Sequence, residues 1–312
     1  MRLLKTQVIV NPESNHGRTR QRWEQIKEAL KAFLKEYKYE FTEKPQQAIE
    51  ISRSAIKDGT ELIVGVGGDG TINEIANGFY ENRSIINPET TLGVFPSGTG
   101  CDFSRSLNIP SGYKNTMEVI TGPTSTNVDV GQITYLDHQG EEKNRYFLNI
   151  TDFGMGGEVV EYMNATRMKK KAASYFKSVI TTFMRYRSKR LGIRIDGKEI
   201  PVDDYMIGAV ANGKIFGKGM KIAPNAQLTD GLFDFVLIQK MNKFEFFKNF
   251  LRLYKGTHLG HPKVSHYLGR RIEAWPENPD EKVLIEVDGE QLGKLPASFE
   301  ILPQGIPIKG CL

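Results

Sequence analysis

Residues 65–74 read Gly65-Val66-Gly67-Gly68-Asp69-Gly70-Thr71-Ile72-Asn73-Glu74. The apolar run Leu62-Ile63-Val64 precedes them with the character of a strand, and Ile72, Ile75, Ala76 and Phe79 follow at helical spacing. Glycines at a strand-to-helix turn let backbone N–H groups close on phosphate oxygens, and the helix N-terminus adds partial positive charge. Asp69 lies inside that turn, where a bare carboxylate would repel a phosphate. A Mg²⁺ between the two removes the conflict, so the stretch reads as a metal–nucleotide site in an α/β domain.

Two better-known motifs are excluded. Gly65, Gly67 and Gly70 fit G-x-G-x-x-G, but the dinucleotide fingerprint opens the first strand–helix unit, and here a full unit comes first. The spacing from Gly65 to Gly70 imitates a P-loop, yet Thr71-Ile72 stands where Lys-Ser/Thr belongs. A glycine turn without a ligand explains poorly why Asp69, Thr71, Asn73 and Glu74 crowd one turn with polar groups.

Outward from this turn, the chain opens as strand (Val8-Ile9-Val10), turn (Asn11-Pro12) and a helix expected from about Arg18 to Tyr37, with Trp23, Ile26, Leu30, Phe33 and Tyr37 on one face. A second helix is expected over 46–57, and a strand over 91–95 runs into Pro96-Ser97-Gly98-Thr99-Gly100. Alternating strands and helices indicate a parallel sheet covered on both faces, with ligands at the carboxyl ends of its strands. Both glycine turns and Asn11-Pro12 lie at such ends. After about Pro123 the texture changes: 127–134, 146–152, 191–195, 205–211, 232–239 and 283–287 read as strands, with helical patterns only over 156–190 and 242–254. Strands without intervening helices indicate an antiparallel sandwich or barrel. The expected division is an α/β domain over 1–124, a β-sandwich over 125–290 and a C-terminal segment over 291–312 that could rejoin the first domain.

The chain of 312 residues is 39% hydrophobic, ordinary for a globular core. The N-terminal apolar run is short and contains Lys5, unlike a signal peptide, and no run approaches a membrane span. Cys101 and Cys311 are the only cysteines, which argues against a disulfide framework and fits a cytoplasmic protein. The net charge of +5 is unevenly placed, since 167–194 holds many Lys and Arg residues and no acid. Lys169, Lys170, Lys171, Arg185, Arg187, Lys189 and Arg190 there interleave with Tyr175, Phe176, Ile180, Phe183 and Met184. A basic amphipathic helix fits peripheral adsorption to an anionic leaflet, at the inner membrane face for a cytoplasmic protein; a solvated helix packed on its own protein is the alternative. No motif for nucleic acid accompanies the charge. His258, His261 and His266 match no metal-ligand spacing.

With GGDGTINE, SGTGCDFSRSLNIP (97–110), APNAQLTDGLFD (223–234) and VDGE (287–290) in order, the chain resembles the diacylglycerol kinase catalytic family, which includes bacterial lipid kinases and the sphingosine and ceramide kinases. The likeness covers essentially the whole chain. It implies a nucleotide domain like that of NAD kinases and phosphofructokinases, a larger β-rich domain, and an active site in the cleft between them. It also implies transfer of phosphate from ATP, with Mg²⁺, to a lipid alcohol.

The resemblance carries roles onto matching positions. Asn11, Pro12, Thr42, Gly67, Gly68, Asp69, Gly70, Thr71, Asn73, Glu74, Ser97, Gly98 and Thr99 are implied in nucleotide binding. Asp69 and Asp102 are implied as the acidic pair that organises the catalytic Mg²⁺. Gln227, Asp230 and Leu232 resemble a second, structural metal site. Asp288 and Glu290 are implied as the catalytic base motif, with Glu290 the proton acceptor. Read without the family, Asp288-Gly289 is an ordinary hairpin turn, and so is Asp230-Gly231. One position departs: the family pattern reads SGTGND, and Cys101 replaces its Asn with a poor hydrogen-bonding group. A Cys at a helix start could also be a thiol of lowered pKa, or a neutral packed side chain. Diacylglycerol is the expected acceptor, with a sphingoid base or other lipid alcohol, and a nucleotide- or lipid-binding regulator without turnover, as the rival readings.

Overall fold

A computed structural model describes residues 4–166 and 172–310. Lys169–Lys171, at the heart of the expected basic face, lie outside the described residues. The chain forms two compact units, one of residues 1–129 with 304–312 and one of 130–303. The crossings therefore fall at 129/130 and 303/304 rather than at 124/125 and 290/291. The physical reason is that no linker exists: the strands Thr126–Leu136 and Glu290–Lys309 each run from one unit into the other.

The first unit is a parallel sheet. Thr91–Pro96, Leu62–Gly67, Thr6–Val10 and Lys38–Phe41 lie side by side in that order, with Val64 opposite Val8 and Gly93. Outside Thr91–Pro96, the chain returns from its C-terminus and adds a fifth parallel partner, Ile308 opposite Leu92. Tyr80 Oη donates to Gly305 O (2.9 Å) and Lys309 Nζ to Gly122 O (2.7 Å), fixing that return. Alternation along the strands sends Val8, Val10, Val64 and Val66 to one face, where Trp23, Ile26 and Leu30 of the helix Trp23–Phe33 cover them. The expected single helix over 18–37 is broken at Arg22 into Arg18–Gln21 and Trp23–Phe33.

The second unit is built of antiparallel pairs. Its strands Ile150–Gly154, Lys189–Ile195, Lys198–Ala211, Arg271–Pro276, Leu284–Val287 and the early part of Glu290–Lys309 pair in a closed circuit. Phe233–Gln239 and Val264–Gly269 extend it as a second edge. Phe147, Phe153, Phe233, Phe235 and Phe299 are fully buried in its core, with Phe147 stacked on Phe233 and Phe153 on Phe299. The expected strand over 146–152 is two strands, Glu142–Phe147 and Ile150–Gly154, interrupted at Leu148-Asn149. The expected helix over 156–190 is described as Met155–Ala165 and Ala172–Arg185, and these pack with Lys243–Lys255 around Phe183, Phe246 and Phe250. Asn242 caps the last of these by accepting Glu245 N–H (2.9 Å). Among the described residues no helix is long and apolar enough to cross a membrane.

Candidate active site

In the first unit the two glycine turns meet. Leu62–Gly67 ends at Gly68, and Thr91–Pro96 ends at Ser97-Gly98, whose backbone follows closely because Ser97 N donates to Gly67 O (2.7 Å). A β-carbon added to Gly98 would lie 2.4 Å from the Gly68 α-carbon, and one on Gly67 2.6 Å from Thr71 Oγ1. Glycine is required here because the backbones themselves touch. The helix Asp69–Gly78 starts at this junction with its amide end toward the turn.

Asp69 is not free in the turn. Its carboxylate accepts N–H bonds from Asp102 (3.1 Å) and Phe103 (3.0 Å), the first residues of the helix Asp102–Ser106. Desolvation pushes its carboxyl above the ordinary carboxylate range, partly offset by those two N–H bonds and by Arg105. Asp102 is buried and receives Arg105 Nη1 at 2.7 Å. Two hard carboxylates thus meet at one helix start, and each has more lone-pair sites than these bonds use. A desolvated carboxylate gains from a cation beside it, so the donor set fits Mg²⁺.

The neighbouring expected residues divide into those at the turn and those holding it. Asn11 Nδ2 donates to Thr71 Oγ1 (2.9 Å), and Asn11 N to Val66 O (3.0 Å), which ties the Asn11-Pro12 loop to the glycine turn. Ser97 Oγ bonds Thr19 Oγ1 (2.6 Å), which also meets Ser14 Oγ (2.5 Å). Thr99 Oγ1 reaches Asn15 Oδ1 (3.3 Å). Glu74 Oε2 accepts Ala48 N–H (3.3 Å) and so serves the start of the helix Gln47–Lys57. Asn73 is buried and accepts Asn77 Nδ2 through its backbone (2.8 Å) and side chain (3.1 Å). Thr42 N donates to Val10 O (2.9 Å), continuing the sheet. Gly70 lies in the first turn of the Asp69–Gly78 helix.

Cys101 has the left-handed φ of 52°, a conformation that favours Asn. Its Sγ accepts Gly98 N–H at 3.2 Å. Burial, with Asp69 and Asp102 nearby, pushes the thiol up to about 12, so it is the neutral packed side chain and not an activated thiol.

In the second unit, Asp288 is buried with φ 45°, and its carboxylate accepts the N–H groups of Leu148 (3.0 Å), Asn149 (3.2 Å) and Ile150 (3.0 Å). That is why the chain breaks its strand at Leu148-Asn149. Glu290 is half-buried and lies 3.5 Å from the Arg145 guanidinium. Asp230 is exposed, and its Oδ1 accepts Leu232 N–H (3.1 Å) across Gly231, whose φ is 71°. Gln227 is exposed nearby in sequence. The three histidines do not gather: His258 Nε2 meets Ile222 O (2.9 Å), His266 Nε2 meets Asp234 Oδ1 (2.6 Å), and His261 lies 3.7 Å from Glu245. Among the described residues no group of three or more His, Cys, Asp or Glu side chains is placed to hold a metal ion. Thr19, Arg105 and Arg145 were not legible as site residues, since each matters through a partner distant in sequence or on another turn.

Comparison with known proteins adds the family. Residues 5–133 match the family described as diacylglycerol kinase catalytic domain, and 149–309 that described as YegS C-terminal NAD kinase beta sandwich-like domain. A diacylglycerol kinase of Staphylococcus epidermidis is 30% identical over 283 residues, covering 86% of this chain and 79% of the relative. One of Staphylococcus aureus is 29% identical over 271 residues, covering 86% and 80%. The crystal structure of a diacylglycerol kinase from Bacillus anthracis str. Sterne shares the fold at TM-score 0.71 and 21% identity, covering 100% of this chain and 98% of that one. Yeast NADH kinase, solved with NADH, shares it at TM-score 0.56 and 14% identity, covering 99% and 83%. With both halves matched in order and a 30% identical relative covered over most of its length, the chain belongs to the diacylglycerol kinase catalytic family.

Proposed function

We propose that the protein is an ATP-dependent lipid kinase that phosphorylates the hydroxyl of a lipid alcohol, with diacylglycerol the expected acceptor. Family membership and relatives named diacylglycerol kinase support this reading. The observation that carries the phosphoryl-transfer chemistry is the junction of Gly68 and Gly98, with Asp69 fastened to the amide start of the Asp102–Ser106 helix.

In this reading the backbone N–H groups from Gly67 to Thr71 receive the phosphates, aided by the amide end of the Asp69–Gly78 helix. Ser97, Gly98 and Thr99 close the nucleotide from the adjacent strand end, and Asn11, Pro12 and Thr42 complete its surroundings. Asp69 and Asp102 would hold Mg²⁺, which supplies charge neutralisation on the phosphates. Glu290 takes the proton of the acceptor hydroxyl, directed by Arg145, while Asp288 holds the turn on which Glu290 stands. Asp230, with Gln227 and the Leu232 carbonyl, is an oxygen donor set suited to a second, structural Mg²⁺.

A lipid acceptor requires access to a membrane, and the second unit carries a suitable face. Phe176, Met184, Phe244, Phe247 and Leu251, on the helices Ala172–Arg185 and Lys243–Lys255, are exposed large apolar side chains. Lys177, Arg185, Lys243 and Lys248 are exposed on the same two helices. Exposed aromatic residues among cations fit peripheral adsorption to an anionic leaflet, to which each cation adds about 1 kcal/mol.

The test is incubation with γ-labelled ATP, Mg²⁺ and detergent-dispersed diacylglycerol, sphingoid bases and NAD, followed by product separation. Labelled diacylglycerol phosphate is the expected product. Label on the sphingoid base alone would move the acceptor, and label on NAD alone would overturn the lipid reading.

A further inference from the structure

The second unit holds a pair of acids that the family motifs do not mention. On the antiparallel strands Ile150–Gly154 and Leu284–Val287, Glu286 stands directly opposite Asp152. Their side chains therefore project to the same face. Asp152 is 1% exposed and Glu286 7%. Neither Asp152 oxygen reaches a donor of ordinary hydrogen-bond geometry; the groups beside it are the Glu286 carboxyl and the Gly157 N–H. The start of the Met155–Ala165 helix closes the space, since a β-carbon on Gly156 would lie 2.1 Å from Asp152 Oδ1.

Two buried carboxylates in contact cannot both remain charged, whereas one proton between them makes the contact an O–H···O⁻ hydrogen bond. The described groups that act on the pair add repulsion or are neutral. Asp288 faces Glu286 from the same turn and adds repulsion. From beyond the Ala172–Arg185 helix comes the Tyr186 phenol, itself pushed up by burial and by Glu158, Glu281 and Asp152. Among the described residues, the groups that act on Asp152 are the Glu286 carboxyl and the Gly157 N–H, with no lysine or arginine among them. The pair is also connected to the site. Glu286 accepts the Gly289 N–H through Oε1, and its backbone carbonyl accepts Thr151 Oγ1 (2.7 Å). Gly289 is the residue between Asp288 and Glu290.

We infer that Asp152 and Glu286 share one proton and act as a positioning pair for Glu290, holding the Asp288-Gly289 turn through the Gly289 N–H. The positioning role rests on the reading of Glu290 as the base. Asp288 anchors the turn from one side and Glu286 from the other, so the proton is what allows both acids to stay beneath it. Burial and mutual repulsion hold the pair's titration above the ordinary carboxylate range. A group whose folded value is raised stabilises fully below its unfolded value, and that contribution is lost as pH rises through the folded one. On the alkaline side the proton leaves, three negative charges crowd the turn, and the hold on Gly289 weakens.

The experiment compares wild type with Asp152→Asn, Glu286→Gln and Glu286→Ala by kcat against pH, thermal midpoint against pH, and infrared absorption of protonated carboxyl groups. Asp152→Asn keeps one charge and leaves no proton to lose, so it should flatten the alkaline fall in both kcat and thermal midpoint. It should also remove a protonated-carboxyl band present in wild type at neutral pH. Glu286→Ala should lower kcat by about a hundredfold with the KM for ATP unchanged, and Glu286→Gln should recover most of that loss. Alkaline profiles of Asp152→Asn that superimpose on wild type would overturn the inference. So would a wild-type spectrum without protonated carboxyl at neutral pH, a measurement that needs no variant to fold. If wild type phosphorylates no lipid, the lipid-kinase reading and the positioning role fall together, while the thermal and infrared arms still decide whether the proton is shared.

Discussion

Gly68 and Gly98 belong to different strand ends and touch through their backbones, so that a β-carbon on Gly98 would lie 2.4 Å from the Gly68 α-carbon. Gly98→Ala should therefore separate the two turns. We expect a loss of about 1–3 kcal/mol of stability from overpacking and a larger proportional loss of ATP affinity. Gly68→Ala, whose β-carbon would meet Gly98 at 3.2 Å, should be milder. Denaturant melts and calorimetric ATP titration check both, and equal tolerance at the two positions would contradict the geometry.

On the proposed function, in which the Asp69 carboxylate organises charge at the phosphates, Asp69→Ala should lower turnover by about 10³-fold while leaving a folded protein. The Asp102 and Phe103 N–H groups then lose their acceptor, which costs about 1–3 kcal/mol. Asp69→Asn adds a pH reading. The wild-type carboxyl is pushed up by desolvation, so its contribution to stability is lost as pH rises through its folded value, and Asn should remove that slope. Adding Mg²⁺ to wild type should shrink the same slope if the cation sits beside Asp69.

Cys101→Asn should be equally or more stable, since Asn tolerates the left-handed φ of 52° better than Cys. ATP affinity should be equal or higher. In wild type, a thiol pushed up to about 12 should react slowly with iodoacetamide near neutral pH and quickly once the protein is unfolded. Rapid alkylation of the native protein would show that the packed neutral thiol is misread.

Glu290→Gln should lose several orders of magnitude in turnover with little change in nucleotide affinity, the mark of a group needed chiefly in the transition state. Asp288→Asn should behave differently. It weakens three charge-assisted N–H bonds to Leu148, Asn149 and Ile150, each worth about 1.5–3 kcal/mol, so its main effect should appear in thermal stability. If the two variants exchanged these phenotypes, Asp288 would be the base.

Phe244 is 78% exposed and Leu251 64%. Replacing both by Ser should weaken binding to anionic vesicles by about 2–4 kcal/mol, taking partial insertion of each side chain. Turnover on a short-chain, water-soluble acceptor should hardly change. Vesicle sedimentation with and without salt measures this, and unaltered binding would move the contact elsewhere.

The first unit was readable because its signals are local. Strand, glycine turn and helix follow one another in sequence, and the apolar runs Val8-Ile9-Val10 and Leu62-Ile63-Val64 are continuous because both faces of their strands are buried. The second unit was readable only in kind. The strands Val264–Gly269 and Arg271–Pro276 carry no clear apolar pattern, because polar Ser265, His266 and Glu273 interrupt them. The break at Leu148-Asn149 depends on Asp288, some 140 residues away in the chain, and no local pattern reports it. The same holds for Asp152 and Glu286, which sequence presents as unremarkable polar residues in two strands. VDGE forms the hairpin its sequence suggests; the N–H bonds from 148–150 to Asp288 and the Gly289 N–H bond to Glu286 distinguish it from an ordinary turn.

The fifth partner of the parallel sheet is the late part of Glu290–Lys309, with Ile308 opposite Leu92 and Lys309 opposite Gly93. Until they arrive, Thr91–Pro96 is an open edge with unpaired backbone groups, the kind of edge that invites wrong partners. On the ribosome, the strands from Thr6 to Pro96 emerge before the antiparallel unit, yet their sheet is finished only after that unit has been synthesised. The unit that holds the glycine turns is thus completed after the antiparallel one, and a fragment ending before Gln304 should aggregate and, on the proposed function, bind ATP weakly, however intact its glycine turns.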